Sequence, residues 1–330
     1  MSLKRLLESR KLKSKAYIWI LSFGFMKTLL LIDGNAIMHR AYHALPPFKS
    51  ADGTPTNVVY GYLSMLNKVT VDFKPDYLIS CFDTPKETFR NKLFKKYQSQ
   101  RPKIDDDFII QIPLVKQALD TAGINRIEKD GYEADDLIGT ITRIFETNKF
   151  RVVILTGDKD IFQLITENVF VAAPQLGLAN IKIFDKSEVE KKLDVSPNQI
   201  VEYKALVGDP SDNYPGASGI GPKTASKLIH QFATVDNIYK NVDEIESEKI
   251  RQILKEERDN VYLSKKLATI MTDVKIDLNI EKLKFKGFNK KLIDFLTQYQ
   301  MGTLTKRIFS EKVIEKKEEP KKTVDQIGLF

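Results

Sequence analysis

The stretch "VVILTGDKDI", residues 152–161, constrains this chain more than any other. Val152, Val153, Ile154 and Leu155 are apolar in succession, without the alternation of a strand that keeps one wet face. Such a run belongs in a sheet covered on both sides, as parallel sheets are. Gly157 turns the chain, and Asp158 and Asp160 follow where the strand must end. A lone pair of this kind says little. With 44 Asp and Glu in 330 residues, on the order of six acid-x-acid pairs arise by chance. The pair becomes informative only if other strands also end in acids.

They do. From Met26 onward, strand and helix patterns alternate: "TLLLID", then "GNAIMHRAYHAL" and the amphipathic "NVVYGYLSMLNKVTVDF". Strand "YLISCFD", helix "FIIQIPLVKQALDTAG", strand "INRIEK" and helix "EADDLIGTITRIFETN" follow, and "NVFVAAP" and "IKIFD" come after the opening run. The alternation predicts an α/β domain over residues 26–185, a mostly parallel sheet with helices on both faces. Ligands of such sheets bind beyond the carboxyl ends of the strands. Asp33 ends the first strand and Asp83 the second, while Glu133, Asp135 and Asp136 open the helix after "INRIEK". Glu133 and Asp136 are three apart and share a helical face.

Beyond residue 186 the patterns are helical only, which predicts a C-terminal helical subdomain over 186–305. Asp209 and Asp212 fall there, in the turn "GDPSDN". Residues 306–330 read as a mixed-charge, disordered tether. Residues 1–25 read as an appendage, with Met26 as the working start. Their apolar run "AYIWILSFGF" is too short to span a bilayer and lacks a small-x-small cleavage site.

Apolar content of 42% and aromatic content of 10% exclude a disordered chain. The single Cys81 sits in a strand pattern, so a buried thiol and a reducing, cytoplasmic compartment are expected. Net charge is +8. If the acids named above share one pocket, the remaining surface is more basic still, which suits a polyanion held through cations. So many carboxylates in one cleft would repel or protonate unless divalent ions joined them. All-oxygen ligands favour Mg²⁺ or Mn²⁺ over Zn²⁺. His39 and His43 have zinc-like spacing, but no third soft ligand accompanies them, since Cys81 and His230 lie elsewhere. Two hard ions about 4 Å apart suit phosphodiester hydrolysis.

The stretches "LLLIDGNAIMHRAYHALPP", "FD" at 82–83, "GYEADDLIGT", "TGDKDIFQL" and "GDPSDNYPGASGIGPKTA" resemble the 5′-nuclease domain of bacterial DNA polymerase I and its stand-alone flap-endonuclease relatives. The resemblance spans about residues 26–300. It implies one catalytic metal group from Asp33, Asp83, Glu133, Asp135, Asp136 and Asp158, and a second from Asp160, Asp209 and Asp212. It further implies a monomer that acts as a 5′-3′ exonuclease on duplex DNA, cuts 5′ flaps, and serves primer removal and repair. Because the sequence ends at residue 330, no polymerase domain is expected. Residues 84–106 match the family's helical arch, with Arg90, Lys96, Tyr97 and Arg101 turned toward DNA, and Arg40 near the scissile phosphate. Relatives usually carry Lys after the arch tyrosine; here it is Gln98, and Lys95 or Lys96 is the candidate substitute.

"SGIGPKTASKLI", from Ser218, reads independently as part of a helix–hairpin–helix over about 205–232. Gly219 and Gly221 let the backbone approach a phosphate, Pro222 opens a helix whose free N–H groups attract an anion, and Lys223 and Lys227 add charge. The family implies that this element holds duplex backbone without reading sequence, with K⁺ in the hairpin. The terminal "QIGLF" resembles the peptide by which bacterial replication proteins dock on the sliding clamp, through Gln326, Leu329 and Phe330.

Two other readings compete. A structural DNA-junction binder requires that the acids hold no metal. A phosphatase using Asp33 as nucleophile wants a DxD after the first strand, and "DGN" does not supply it.

Overall fold

A computed structural model describes residues 26–147, 150–175, 177 and 180–309. The appendage expected over 1–25 and the clamp peptide at Gln326, Leu329 and Phe330 lie outside the described residues.

Strand β1 (Thr28–Asp33) leads into helices α1 (Gly34–Ala44) and α2 (Asn57–Phe73). Next come β2 (Tyr77–Phe82), α3 (Phe89–Leu93), α4 (Asp106–Ile109), α5 (Gln111–Ala122), β3 (Asn125–Glu128), α6 (Ala134–Thr147), β4 (Arg151–Leu155), β5 (Val169–Pro174) and β6 (Ile181–Phe184). The strands form one sheet in the order β3-β2-β1-β4-β5-β6. It is parallel from β3 to β5, and only β6 runs antiparallel to its neighbour.

The centre of the sheet fixes the site. Ile32 pairs with Ser80 of β2 on one side and Leu155 of β4 on the other. The residues that follow the three strands (Asp33, Asp83 and the 156–158 turn) therefore leave the sheet at one edge. Every residue of β1, β2 and β4 is buried, which is why these runs carry no alternation. Leu29, Leu31, Ile79, Val152 and Ile154 pack with Leu137, Ile138 and Ile141 of α6. On the opposite face Leu30, Ile32, Leu78, Val153 and Leu155 meet Val58, Tyr62 and Leu66 of α2. Each such side chain contributes about 1.5–3 kcal/mol on burial.

The C-terminal region is helical: α7 (Lys186–Leu193), α8 (Ile200–Val207), α9 (Pro222–Phe232), α10 (Val235–Lys240), α11 (Glu248–Glu256), α12 (Arg258–Ala268), α13 (Leu292–Gln298) and α14 (Gly302–Phe309). The helical periodicity suggested one subdomain to residue 305, but the last helices pack elsewhere. After α12 the chain returns to the first domain: the Phe285 amide donates to the Asp76 carbonyl at 2.8 Å and the Asn289 amide to the Ala122 carbonyl at 2.9 Å. Leu292, Phe295, Leu296 and Leu304 then join the core built on α2 and α5. Periodicity announces an apolar face but not which core will bury it. For the same reason α14 continues past 306 to Phe309, with Leu304 buried and Arg307 over the Tyr60 ring. Among the described residues no helix is long and apolar enough to cross a membrane.

Candidate active site and nucleic-acid interface

Asp33 stands at the carboxyl end of β1 and is also the N-cap of α1, accepting the Ala36 amide at 2.9 Å. Its other oxygen accepts the Thr156 hydroxyl at 2.6 Å. Thr156, fully buried at the end of β4, also accepts the Asp158 amide at 2.9 Å. One threonine thus ties the ends of two strands together. Asp83 accepts the Ala134 amide at 2.7 Å, so it caps the start of α6, and its own amide donates to the Asn35 side chain at 3.1 Å. Sequence reasoning missed Thr156 and Asn35, because neither residue type signals chemistry by itself.

Asp33 feels Asp83 and Asp158, Asp135 feels all of Asp33, Asp83 and Asp158, and among the described residues no Lys or Arg forms an ion pair with any of the four. Burial pushes the Asp33 carboxyl up to about 7, with Asp83 and Asp158 adding to it against hydrogen bonds from Thr156 and Ala36. Burial likewise raises Asp83 and Asp135; Asp135 reaches the cleft surface, but Asp158, Asp33, Glu133 and Asp83 all crowd it. Glu133 is pushed to about 7 by burial, although Arg90 pulls against that.

Asp136 differs from its neighbours and corrects two expectations. It is fully buried, and its oxygens accept both Arg90 Nη atoms at 2.8 and 2.9 Å and the Met271 amide at 2.9 Å. Its carboxylate is used up inside the protein and does not face the cleft as a metal ligand. Arg90 is equally withdrawn from DNA: it is 2% exposed and also donates to the carbonyls of Leu267 and Thr269 at 2.9 and 2.8 Å. The pair links α3, the first turn of α6 and the end of α12. The spacing was right, but a buried bidentate ion pair and a surface arginine look alike in sequence.

The segment expected to form a helical arch over 84–106 is helical only over Phe89–Leu93 and at Asp106, where α4 begins. Between them it runs as turns and docks on "GDPSDN". The Gln98 amide donates to the Asp212 carbonyl at 2.9 Å, and Asn213 Nδ2 donates to the Lys96 carbonyl at 2.8 Å. Gln98 has φ +56°, a left-handed turn. Tyr97 is buried, not free to stack on a base. Its hydroxyl donates to Asp212 at 3.0 Å and to Glu133 at 3.3 Å. Arg101, half exposed, holds Asp212 at 2.7 Å, and Lys96 stays exposed. Arg40 donates to the Gly177 carbonyl at 3.3 Å, while its buried Nε has no partner among the described residues. His39 stacks on Phe108 with ring centres 4.4 Å apart.

The second acid group contains a residue that sequence reasoning did not single out. Lys204, on the last turn of α8, is in contact with Asp160 and lies 2.6 Å from Asp209. A cleft of about 420 Å³ opens over these residues, lined also by Asp158, Tyr203, Asp212 and Arg101. Burial raises Asp160 to about 7, helped by Asp158 and opposed by Lys204. For Asp209 burial is outweighed by the Lys204 charge and hydrogen bond and by Ser211, and the carboxyl stays below its usual range. The spacing K-x₄-D in "YKALVGD" was the available signal, since it puts a lysine on the helical turn that feeds the acidic loop.

Between α8 and α9 the chain forms the expected hairpin, closed by the Ala217 amide on the Leu206 carbonyl at 2.8 Å. Gly219 has φ +94°, where a side chain would be strained, and Ile253 lies 3.1 Å from where a Cβ would be. Gly221 differs: its backbone is extended and a Cβ would meet nothing within 4 Å. Packing does not require that glycine, which is the N-cap of α9. Pro222 is the first residue of α9, and Lys223 and Lys227 are exposed beside it.

As it stands, no set of three or more His, Cys, Asp or Glu side chains among the described residues is arranged to hold a metal ion. The donors nonetheless fit one: they are hard oxygens, burial raises Asp33, Asp83 and Asp135, and among the described residues no Lys or Arg forms an ion pair with them.

An acid-edged parallel sheet joined to a hairpin-bearing helical region defines a resolvase-like nuclease fold with a SAM-like helical partner. The family model described as 5′-3′ exonuclease, N-terminal resolvase-like domain, matches residues 28–194, and that described as 5′-3′ exonuclease, C-terminal SAM fold, matches residues 195–291. The chain belongs to the 5′-3′ exonuclease family. It is 40% identical to the 5′-3′ exonuclease of Aquifex aeolicus, over 86% of this chain and 96% of that protein. It is 38% identical to DNA polymerase I of Bacillus subtilis over 86% of this chain, and spans 32% of that longer protein. Among solved structures, T5 5′-exonuclease with bound zinc superposes with a TM-score of 0.63 at 19% identity, over 86% of this chain and 97% of the other. The catalytic core of Rad2 in complex with DNA substrate gives 0.55 at 16% identity, over 86% and 92%. These two structures share the fold.

Proposed function

We propose that this chain is a divalent-metal-dependent hydrolase that removes nucleotides from 5′ ends of duplex DNA and cuts 5′ flaps. The observation that carries this is the strand-end group, where burial raises the Asp33, Asp83 and Asp135 carboxyls, Asp158 lies beside Asp33 and Asp135, and no Lys or Arg of the described residues forms an ion pair with these acids. With Glu133 they would hold one Mg²⁺ or Mn²⁺, and Asp160, Asp209 and Asp212 a second. Two such ions lower the pKa of water and stabilise the leaving oxygen of a phosphodiester. The chain's own residues set the geometry. Arg90 and Asp136 fix the first turn of α6, and Thr156 fixes Asp33 relative to Asp158. Tyr97 and Arg101 orient Asp212. Lys96, Arg40 and, once released, Arg101 would contact an entering strand.

Duplex backbone is held at the hairpin by the free first-turn amides of α9, Lys223 and Lys227, with K⁺ as a further bridge at Gly219 and Gly221. A cytoplasmic monomer that removes RNA primers and displaced strands follows from this activity. The terminal Gln326, Leu329 and Phe330 would dock on the sliding clamp and hold the enzyme at nicks by effective concentration.

A labelled 5′-flap duplex tests the reading: Mg²⁺ gives 5′-phosphate products, and Asp160→Ala removes most of the cleavage. No cleavage with Mg²⁺, or an undiminished rate in the variant, contradicts it. Deleting 326–330 abolishes co-elution with the clamp while cleavage of a free linear flap persists; equal co-elution removes the clamp assignment alone.

A further inference from the structure

Lys204 brings a cation of the chain into the second acid group. Its ammonium touches Asp160 and sits 2.6 Å from Asp209, with all three side chains only about one-seventh exposed. An ammonium has three N–H donors and no acceptor, so it uses the same carboxylate oxygens that a hard divalent ion would need. Both cannot hold Asp160 and Asp209 at once.

The surroundings offer Lys204 a second position. Tyr214 is 3% exposed, and its hydroxyl has no hydrogen-bond partner among the described residues. It lies close enough to Lys204 for the two to interact electrostatically. The Asp209–Tyr214 backbone bridge holds that ring beside the acidic turn. The cleft over Asp160 and Asp209 also leaves Lys204 a path toward an arriving phosphate.

We infer that Lys204 is a resident counter-ion of the second acid group, displaced when a divalent cation binds there, so that the second ion enters readily only when a DNA phosphate draws the lysine away. This rests on the proposed nuclease reading. Lys204 is a positioning residue: it acts through Asp160 and Asp209 and decides the order in which ions are taken up. The first ion goes to the strand-end acids, which no Lys or Arg of the described residues holds in an ion pair.

The test is Mn²⁺ binding to the intact, DNA-free chain, followed by calorimetry and by the electron paramagnetic resonance of free Mn²⁺. The wild type takes up one ion tightly and a second at least tenfold more weakly. Lys204→Met tightens the second step at least tenfold and leaves the first unchanged, whereas Lys204→Arg retains the weak step. A nicked duplex carrying non-hydrolysable linkages tightens the second step in the wild type but not in Lys204→Met. Identical isotherms for wild type and Lys204→Met overturn the inference. If Lys204→Met does not fold, the wild type still decides: acylation of Lys204, read by mass spectrometry, rises several-fold when Mn²⁺ saturates the protein, and unchanged labelling overturns the inference. Absence of flap cleavage alongside the expected isotherms would remove the nuclease reading and leave the role of Lys204 standing.

Discussion

Two acid groups meet in one cleft, and they are built on opposite electrostatic plans. The strand-end acids are set into the rim of a fully buried sheet and, among the described residues, receive neutral donors: the Ala36, Ala134 and Asp160 amides and the Thr156 hydroxyl. The loop acids have charged partners, Lys204 for Asp160 and Asp209, and Arg101 for Asp212. Titration follows this division. Asp33 rises to about 7, whereas Asp209 falls below its usual range. Asp160 lies at the border, facing Asp158, and rises to about 7 despite its lysine. Carboxylates of one type thus differ in their need for an outside cation according to what the fold places beside them.

The largest effect is expected at the pair that belongs to neither group. Arg90→Met leaves Asp136 buried without its partner and costs about 3–5 kcal/mol, measured by urea unfolding. Arg90→Met with Asp136→Leu restores most of it. A single variant within about 0.5 kcal/mol of wild type would mean that Asp136 has another partner.

The pH dependence of metal-free stability comes next. Carboxyls at Asp33, Asp83, Asp135 and Glu133 hold their proton more tightly folded than unfolded. They therefore stabilise below their unfolded values near 4 and lose that contribution as pH rises toward about 7. In chelator, thermal stability should fall from pH 5.5 to pH 8, and Mn²⁺ should restore more at pH 8. A midpoint that rises with pH would contradict the strand-end electrostatics. The depressed Asp209 acts in the opposite sense, but only on acidification below about 4, outside that window.

The smallest effects on the fold separate the two hairpin glycines. Gly219→Ala places a side chain at φ +94° against Ile253 and costs about 1 kcal/mol. Gly221→Ala meets nothing and leaves stability within about 0.5 kcal/mol, yet weakens duplex binding in a filter assay. Unchanged duplex affinity would remove Gly221 from the interface.

Much of this was legible in sequence, and the parts that were not have a common cause. The buried runs of β1, β2 and β4 announced a parallel sheet, and the acids after them announced its working edge. Side-chain partnerships were not visible. "FRNKLFKKYQ" reads as a basic aromatic face, but Arg90 and Tyr97 turn inward because Asp136, Asp212 and Glu133 wait there, distant in sequence. Thr156 and Lys204 passed unnoticed, since a threonine and a lysine gain their roles only from what the fold sets within 3 Å of them. α13 was seen as a helix but assigned to the wrong core, because an apolar stripe does not name its partner.

Anomalous diffraction from a crystal of the DNA-free protein equilibrated with Mn²⁺ tests the central distinction most directly. The account predicts a strong peak among Asp33, Asp83, Asp135 and Asp158, with Lys204 still between Asp160 and Asp209. A peak between Asp160 and Asp209 with none at the strand ends would contradict it.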